Sequence, residues 1–214
     1  MGIFRKKGPL TCRKTSYERK SKETQIALVL NMDGRGKTDI VTTIGFLDHM
    51  LTLLAYHGHF DLALKATGDT HVDNHHLNED VGIALGEAFK KALGDCKGIM
   101  RMASAEVPMD MVSAKVLVDL SNRPAFRFRE MRGTGSETIK DEDGYSMHYA
   151  KDFLESFAKK LAMNLHVEIS GEQSMVDMHH YLEAVFKALG VAMDRATRID
   201  PRREGEVPSS KGIL

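Results

Sequence analysis

Hydrophobic residues along the chain follow two periodicities, which alternate in a fixed order. Runs rich in β-branched residues predict strands over 24–30, 38–44 and 61–67. Apolar residues spaced three and four positions apart predict a helix over 46–58. A second helix is predicted to begin at His75, after the third strand. The first part of the chain therefore reads β-β-α-β-α.

The same order returns in the second part of the chain. Strands are predicted over 114–120, 125–131 and 164–170, helices over 149–161 and 179–197, and a polar, glycine-rich loop over 132–146. Amphipathic helices need a sheet face to cover. The sequence thus predicts an α+β fold of two duplicated β-β-α-β-α halves, each a sheet covered on one face by helices, with room for one more short strand. Turn-forming residues at 33–36 and the strands around them favour a hairpin there.

Direct comparison of the halves supports a duplication. Residues 73–88 and 177–192 align without gaps at an offset of 104, and 61–69 aligns with 164–172 at an offset of 103. The shared pairs include Asp73/Asp177, His75/His179, His76/His180, Glu79/Glu183, Leu85/Leu189 and Gly86/Gly190. We divide the chain into an N-terminal arm (1–22), a first half (23–97), a second half (98–200) and a C-terminal tail (201–214).

The element shared most clearly by the halves is His-His-x-x-Glu. On a helix, Glu79 lies on one face with both His75 and His76. Adjacent histidines diverge by about 100°, so they point to two different ions or to one ion in each of two subunits. Imidazole with carboxylate suits Mn, Fe, Co or Zn. Two copies at matching positions indicate metal binding.

The duplication also extends the predicted ligand set. His49 lies on the first helix, and the offset of 103 places Asp152 opposite it. The predicted metal ligands are His49, His75, His76, Glu79, Asp152, His179, His180 and Glu183. Eight groups suffice for two ions with positions left for substrate or water.

Composition excludes other classes of function. Lys+Arg and Asp+Glu both number 30, so the formal net charge is zero and gives no basis for nucleic-acid or membrane binding. The sequence contains no apolar run of about 18 residues, the length a membrane span requires. Two cysteines without a C-x-x-C spacing favour reduced thiols in a cytoplasmic protein.

With these motifs in place, the chain resembles the imidazoleglycerol-phosphate dehydratase family along nearly its whole length. The matching segments are RKSKETQI (19–26), IGFLDHML (44–51), GDTHVDNHHLNEDVGIALG (68–86), GIMR (98–101), VPMD (107–110), VDLSNRP (118–124), HHYLEAVFKALG (179–190) and VPSSKGIL (207–214). Several of these are specific, and they occur in the family's order.

The resemblance implies dehydration of D-erythro-imidazole glycerol phosphate to imidazole acetol phosphate in histidine biosynthesis. It implies two Mn²⁺ ions per active site, which hold both nitrogens of the ring, stabilise an imidazolate and so help expel the hydroxyl. It also implies a large homo-oligomer of about 24 subunits with active sites between subunits.

The resemblance also suggests roles for individual residues. Glu23 is the candidate acid/base, since a positioned carboxylate must move the proton, and Glu183 is a second catalytic candidate. Cations and hydroxyls would bind the phosphate ester. The predicted substrate-binding residues are Glu23, His57, Arg101, Arg123, Lys187, Ser209, Ser210 and Lys211.

The chain departs from the family pattern at the second metal site. Asp152 stands where the pattern has a histidine, and His148, one helical turn earlier, is the alternative ligand. A few extra residues precede His179, Asp177 replaces an Asn, and Met111 replaces an acidic residue. Two rival hypotheses therefore stay open, namely an enzyme acting on another imidazole phosphate and a non-catalytic metal-binding protein of the same scaffold.

Overall fold

The computed structural model describes residues 13–130, 144–171, 178–203 and 205–214 of the chain. The first half contains β1 (Lys14–Lys20), β2 (Thr24–Asn31), β3 (Thr38–Val41), α1 (Gly45–His57), β4 (Asp61–Gly68) and α2 (His75–Leu93). The second half contains β5 (Met102–Met109), β6 (Val112–Asp119), β7 (Ala125–Glu130), α3 (Met147–Leu161), β8 (Asn164–Gly171) and α4 (Met178–Thr197). The duplicated α+β architecture is confirmed, with one extra strand at the start of each half.

The strand order corrects two details of the sequence prediction. The sheets run β1-β2-β4-β3 and β5-β6-β8-β7, so β4 lies between the two strands that were expected to form a hairpin. The predicted hairpin at 33–36 is therefore wrong: β3 pairs parallel with β4, while β2 pairs antiparallel with β1 and β4. Strand β4 matches β2 over eight residues, whereas β3 has only four. Strand β1 lies within the stretch assigned to the arm, because the polar composition of an edge strand hides its periodicity.

The helices form two layers between the sheets. Helices α1 and α2 pack on the first sheet, α3 and α4 on the second, and the layers meet as α1 against α4 and α2 against α3. The inward strand positions alternate with exposed ones, as in β2 and β6. No helix in the described parts of the chain is long and apolar enough to cross a bilayer.

Two glycines bring the facing helices close together. A Cβ on Gly190 of α4 would lie 2.5 Å from the Leu54 carbonyl oxygen of α1, and one on Gly86 of α2 would lie 2.7 Å from the Phe157 carbonyl oxygen of α3. These two glycines are equivalent in the duplication, and so are Leu54 and Phe157. The same close approach in both helix pairs limits the distance between side chains that face each other across each pair.

Candidate active site

The first of two candidate metal groups lies between α1 and α4 and consists of His49, His179 and Glu183, hereafter the α1–α4 group. Nε2 of His49 lies 2.8 Å from Glu183 Oε1, and Nε2 of His179 lies 3.1 Å from the same oxygen. The His49 side chain is 42% exposed, whereas that of Glu183 is only 11% exposed. The group is therefore a half-open cluster around one nearly buried carboxylate.

The charge of Glu183 is stabilised by its neighbours. Burial opposes ionisation of this carboxyl, but hydrogen bonds from Lys187 and His49, the charge of Lys187 and a hydrogen bond from His179 lower its pKa to about 2. Lys187 Nζ donates to Oε2 at 2.6 Å, one turn along α4. Glu183 is thus ionised near neutral pH, where it could ligate a cation but is too weakly basic to be an effective proton acceptor.

The second group lies between α2 and α3 and consists of His75, His148 and Asp152, hereafter the α2–α3 group. Asp152 Oδ2 lies 3.5 Å from His75 Nδ1 and 3.2 Å from His148 Nε2. Glu79 Oε2 lies 3.7 Å from the other nitrogen of His75, and Glu79 is not a member of the compact group. Both open alternatives of the sequence, His148 and Asp152, therefore meet at one point.

The Asp152 Oδ2 atom at the centre of the α2–α3 group is buried without a hydrogen-bond donor in the part of the chain that the structure describes. Asp152 Oδ2 is buried and accepts no hydrogen bond from the described residues, although two imidazole nitrogens face it. A buried carboxylate oxygen without a donor is costly unless a cation satisfies it. Two imidazoles and a carboxylate fit a divalent transition-metal ion, as they do in the α1–α4 group.

The first turn of α3, which carries His148, is tied to α2. The buried Tyr145 hydroxyl donates to Asn78 Oδ1 at 2.8 Å, and Asn78 Nδ2 donates to the Tyr149 carbonyl at 2.7 Å. Burial raises the pKa of Tyr145 far above its ordinary value, so the hydroxyl remains a donor. Ser146 caps the helix by accepting from the Tyr149 amide at 3.3 Å.

The remaining predicted histidine ligands, His76 and His180, lie beside carboxylates outside the two groups. Each forms an edge-on ring contact with the adjacent histidine, with planes inclined by 77° and 78°. His76 Nδ1 lies 3.0 Å from Asp69 Oδ2, and this hydrogen bond raises the pKa of His76. His180 Nε2 lies 3.6 Å from Asp110 Oδ2. Neither histidine belongs to the two groups formed by the described residues of one chain.

Of the predicted acid/base and substrate-binding residues, Glu23 lies near His76, and His57 lies near Lys187 and Glu183. Glu23, in the β1–β2 turn, places Oε2 4.0 Å from His76 Nδ1 and is 55% exposed at its side chain. His57 ends α1, and burial followed by the charge of nearby Lys187 lowers its pKa. Asp69, which orients His76, and Lys187 as the partner of Glu183 were missed. The i, i+4 spacing of Glu183 and Lys187 was a usable signal.

The predicted phosphate-binding residues meet in a separate cleft of about 330 Å³. The cleft is lined by Arg101, Arg123, Ser209, Ser210 and Lys211, together with Ser121, Ile213 and Leu214. Arg101 is held by Asp119 at 2.7 and 3.2 Å and donates to the Pro208 carbonyl at 2.9 Å, which anchors the tail. Lys187, predicted with this set, instead lies beside Glu183.

The cleft and the α1–α4 group lie at opposite ends of α4. The Arg101 amide bonds to the Ala196 carbonyl at the C-terminal end, whereas Glu183 stands near the N-terminal end. At 1.5 Å per residue these points are roughly 20 Å apart along the axis. Asp177 and the extra residues before His179 lie outside the described residues, and Met111 is exposed at the β5–β6 turn.

Comparison with known proteins places this geometry in one family. Residues 42–193, which span both candidate metal groups, match the family described as imidazoleglycerol-phosphate dehydratase. The chain is 48% identical over 202 residues to the imidazoleglycerol-phosphate dehydratase of Geobacillus kaustophilus, covering 94% of this chain and 99% of the relative. It is 50% identical over 203 residues to that of Halalkalibacterium halodurans, covering 94% and 100%.

Solved structures agree with these sequence matches. IGPD from Pyrococcus furiosus, in complex with (S)-C348, is 35% identical with a TM-score of 0.75, covering 92% of this chain and 99% of that one. The imidazoleglycerol-phosphate dehydratase of Staphylococcus aureus is 27% identical with a TM-score of 0.73, covering 87% and 100%.

Proposed function

Because the chain belongs to the imidazoleglycerol-phosphate dehydratase family, we propose that it removes water from D-erythro-imidazole glycerol phosphate to give imidazole acetol phosphate in histidine biosynthesis. The observation that carries this proposal is the pair of His-His-carboxylate groups at equivalent helix pairs of a duplicated fold. A substrate with two ring nitrogens matches two such groups.

The reaction breaks a C–O bond next to the ring and a C–H bond on the following carbon. Divalent ions bound in the two groups, Mn²⁺ by family resemblance, would supply Lewis acidity to the ring nitrogens. A nearby base must accept the proton from the C–H bond, and Glu23 is an exposed carboxylate beside His76. The hydroxyl leaves as water after taking up a proton, and the resulting enol becomes the ketone.

The phosphate group fits the cleft at the C-terminal end of α4. Arg123 and Lys211 bring positive charge, and the two serines bring hydroxyl donors. Arg101, fixed by Asp119, holds the tail that carries Ser209 and Lys211. Binding of the phosphate would orient the ring, which is the positioning effect that catalysis requires.

One chain cannot present the cleft and the α1–α4 group to one substrate molecule. The separation of roughly 20 Å along α4 far exceeds a three-carbon chain whose bonds measure about 1.5 Å. The active site is therefore proposed to lie between subunits of a large homo-oligomer. In such an oligomer, His76 and His180 would face the metal ligands of a neighbouring subunit, and Glu23 would lie beside His76.

The first experiment measures formation of the keto product by purified protein, after metal removal by chelation and again after Mn²⁺ is restored. We expect turnover only with the metal. Glu23→Gln should abolish turnover while Mn²⁺ binding persists, and Glu18→Gln, an exposed change on β1, serves as the matched control. Mn²⁺ binding without turnover in the unaltered protein would refute the proposal and favour another imidazole phosphate or a non-catalytic role.

The shared site has its own test. Subunits carrying Glu183→Gln and subunits carrying Arg101→Ala are each expected to be inactive in a uniform oligomer. Unfolding and refolding them together should restore part of the activity, because a mixed interface combines an intact metal group with an intact cleft. Mixed oligomers with no more activity than the separate variants would refute a site built from two subunits.

A further inference from the structure

The two metal groups obtain their imidazoles from different positions of equivalent helices. In the α1–α4 group, α1 contributes His49. The equivalent position of α3 is Asp152, and the imidazole comes from His148, one turn closer to the helix N-terminus. We propose that His148 is a metal ligand of the α2–α3 group and takes the role of His49, with Asp152 as the carboxylate ligand. This inference rests on the proposed metal dependence of the protein.

The donor atoms lie within about 0.1 Å of the spacing expected for ligands around one ion. Two ligands of one ion, each about 2.1 Å from it, lie roughly 3.0–3.4 Å apart at octahedral or tetrahedral angles. Asp152 Oδ2 lies 3.2 Å from His148 Nε2 and 3.5 Å from His75 Nδ1. Neither contact is a hydrogen bond, so the oxygen remains available to a cation.

The position of His148 is held by the fold even though its ring is exposed. Its ring stacks on that of His75, with centroids 6.4 Å apart and planes inclined by 25°. The backbone on either side is fixed to α2 through Tyr145, Asn78 and Tyr149. The His148 side chain is 72% exposed, so its removal should not disturb the core.

Without His148 the group would change its chemistry. His75 would then be the single imidazole and Asp152 the single carboxylate directed at this point. Loss of one imidazole lowers the preference of the group for transition-metal ions. With His148 the donors are two nitrogens and one oxygen, the same as in the α1–α4 group. With Asp at position 152, the imidazole ligand therefore comes from one helical turn earlier, at His148, and the group does not lose a ligand.

The two groups nevertheless differ in charge. Lys187 neutralises Glu183 in the α1–α4 group. In the described parts of the chain, Asp152 forms no ion pair with lysine or arginine. The carboxylate of the α2–α3 group therefore keeps more of its negative charge than Glu183 does, and this group should bind a divalent cation more tightly than the α1–α4 group.

The test measures Mn²⁺ binding without substrate, by electron paramagnetic resonance of free Mn²⁺ during titration of the metal-stripped protein. We expect two classes of site. His148→Ala should weaken the tighter class by more than about 100-fold, since loss of an outer-shell partner alone costs 10- to 100-fold. The weaker class should keep its affinity. Lys159→Ala, an exposed change on the same helix, should bind as the unaltered protein does.

A rescue variant distinguishes ligation from a general effect. In His148→Ala/Asp152→His the imidazole stands at the position equivalent to His49, and affinity should return to within about tenfold of the original. Pulsed measurements of ¹⁴N coupling should show one nitrogen fewer in His148→Ala and its return in the double variant. Unchanged binding and coupling in His148→Ala would overturn the ligand assignment.

The outcomes also separate this inference from the proposed function. Metal binding lost in His148→Ala, with no turnover by the unaltered protein, would leave the ligand assignment intact and refute the dehydratase proposal. Turnover by the unaltered protein, with His148→Ala binding metal normally, would refute the ligand assignment alone. Failure of the unaltered protein to bind Mn²⁺ would overturn both.

Discussion

Close packing of α1 against α4 sets the geometry of the α1–α4 group, so one added methyl group should disturb both stability and metal binding. In Gly190→Ala the new Cβ would lie 2.5 Å from the Leu54 carbonyl oxygen and 3.0 Å from the Gly58 nitrogen. Both atoms belong to the backbone and cannot rotate away. Ordinary contact begins near 3.4 Å, so the helices must separate by roughly 0.9 Å.

The energetic effect combines two opposing terms. Overpacking costs about 1–3 kcal/mol, while alanine gains up to about 1 kcal/mol over glycine within a helix. The net loss of up to about 2 kcal/mol lowers the Tm by up to roughly 8 °C for a chain of this length. Glu183 lies two turns before Gly190 on the same face, so the 2.8 Å contact between His49 and Glu183 should also widen.

The assay compares thermal unfolding of the metal-free protein with Mn²⁺ binding by the α1–α4 group. The matched control is Gly45→Ala at the start of α1, where an added Cβ meets nothing within 4 Å. We expect Gly45→Ala to hold or raise the Tm and to bind metal normally. If Gly190→Ala behaves like Gly45→Ala in both measurements, then helix spacing does not control this group and the reasoning fails.

Three further predictions concern other parts of the site. Asn78→Ala should lower the free energy of unfolding by about 2–4 kcal/mol, because Tyr145 loses its buried acceptor; a loss below about 0.5 kcal/mol in urea titration would contradict this. Arg101→Lys should raise KM at least about tenfold without altering Mn²⁺ affinity, because the two bonds to Asp119 are lost; steady-state kinetics would refute it if KM stayed constant. In metal-free protein the pKa of Glu183, about 2 when folded against 4.5 unfolded, means that its stabilisation is complete above pH 4.5 and is lost as pH falls towards 2. The stability difference from Glu183→Gln should therefore disappear across that window, and a difference that persists to pH 2 would be inconsistent with the assignment.

Much of the fold followed from the sequence, because periodicity and duplication report which faces are buried. The order of helices and strands was predicted, apart from β1 and the counterpart strand β5, whose polar or mixed composition hides an edge strand. Strand pairing was not predictable in the same way. Whether β3 lies beside β2 or β4 depends on which long strand occupies the centre of the sheet, and local turn residues do not encode that choice.

The candidate site shows the same division. The spacing of His75, His76 and Glu79 predicted that the histidines diverge and that a metal site lies near the helix N-termini. Only the tertiary structure decided that Asp152 and His148 converge on His75 while Glu79 lies aside. That decision depends on how α3 is set against α2 by Gly86 and by the hydrogen bonds of Asn78. Sequence alone fixes periodicity within a helix, whereas the distance and rotation between two helices are set by close packing of atoms that are remote in the chain.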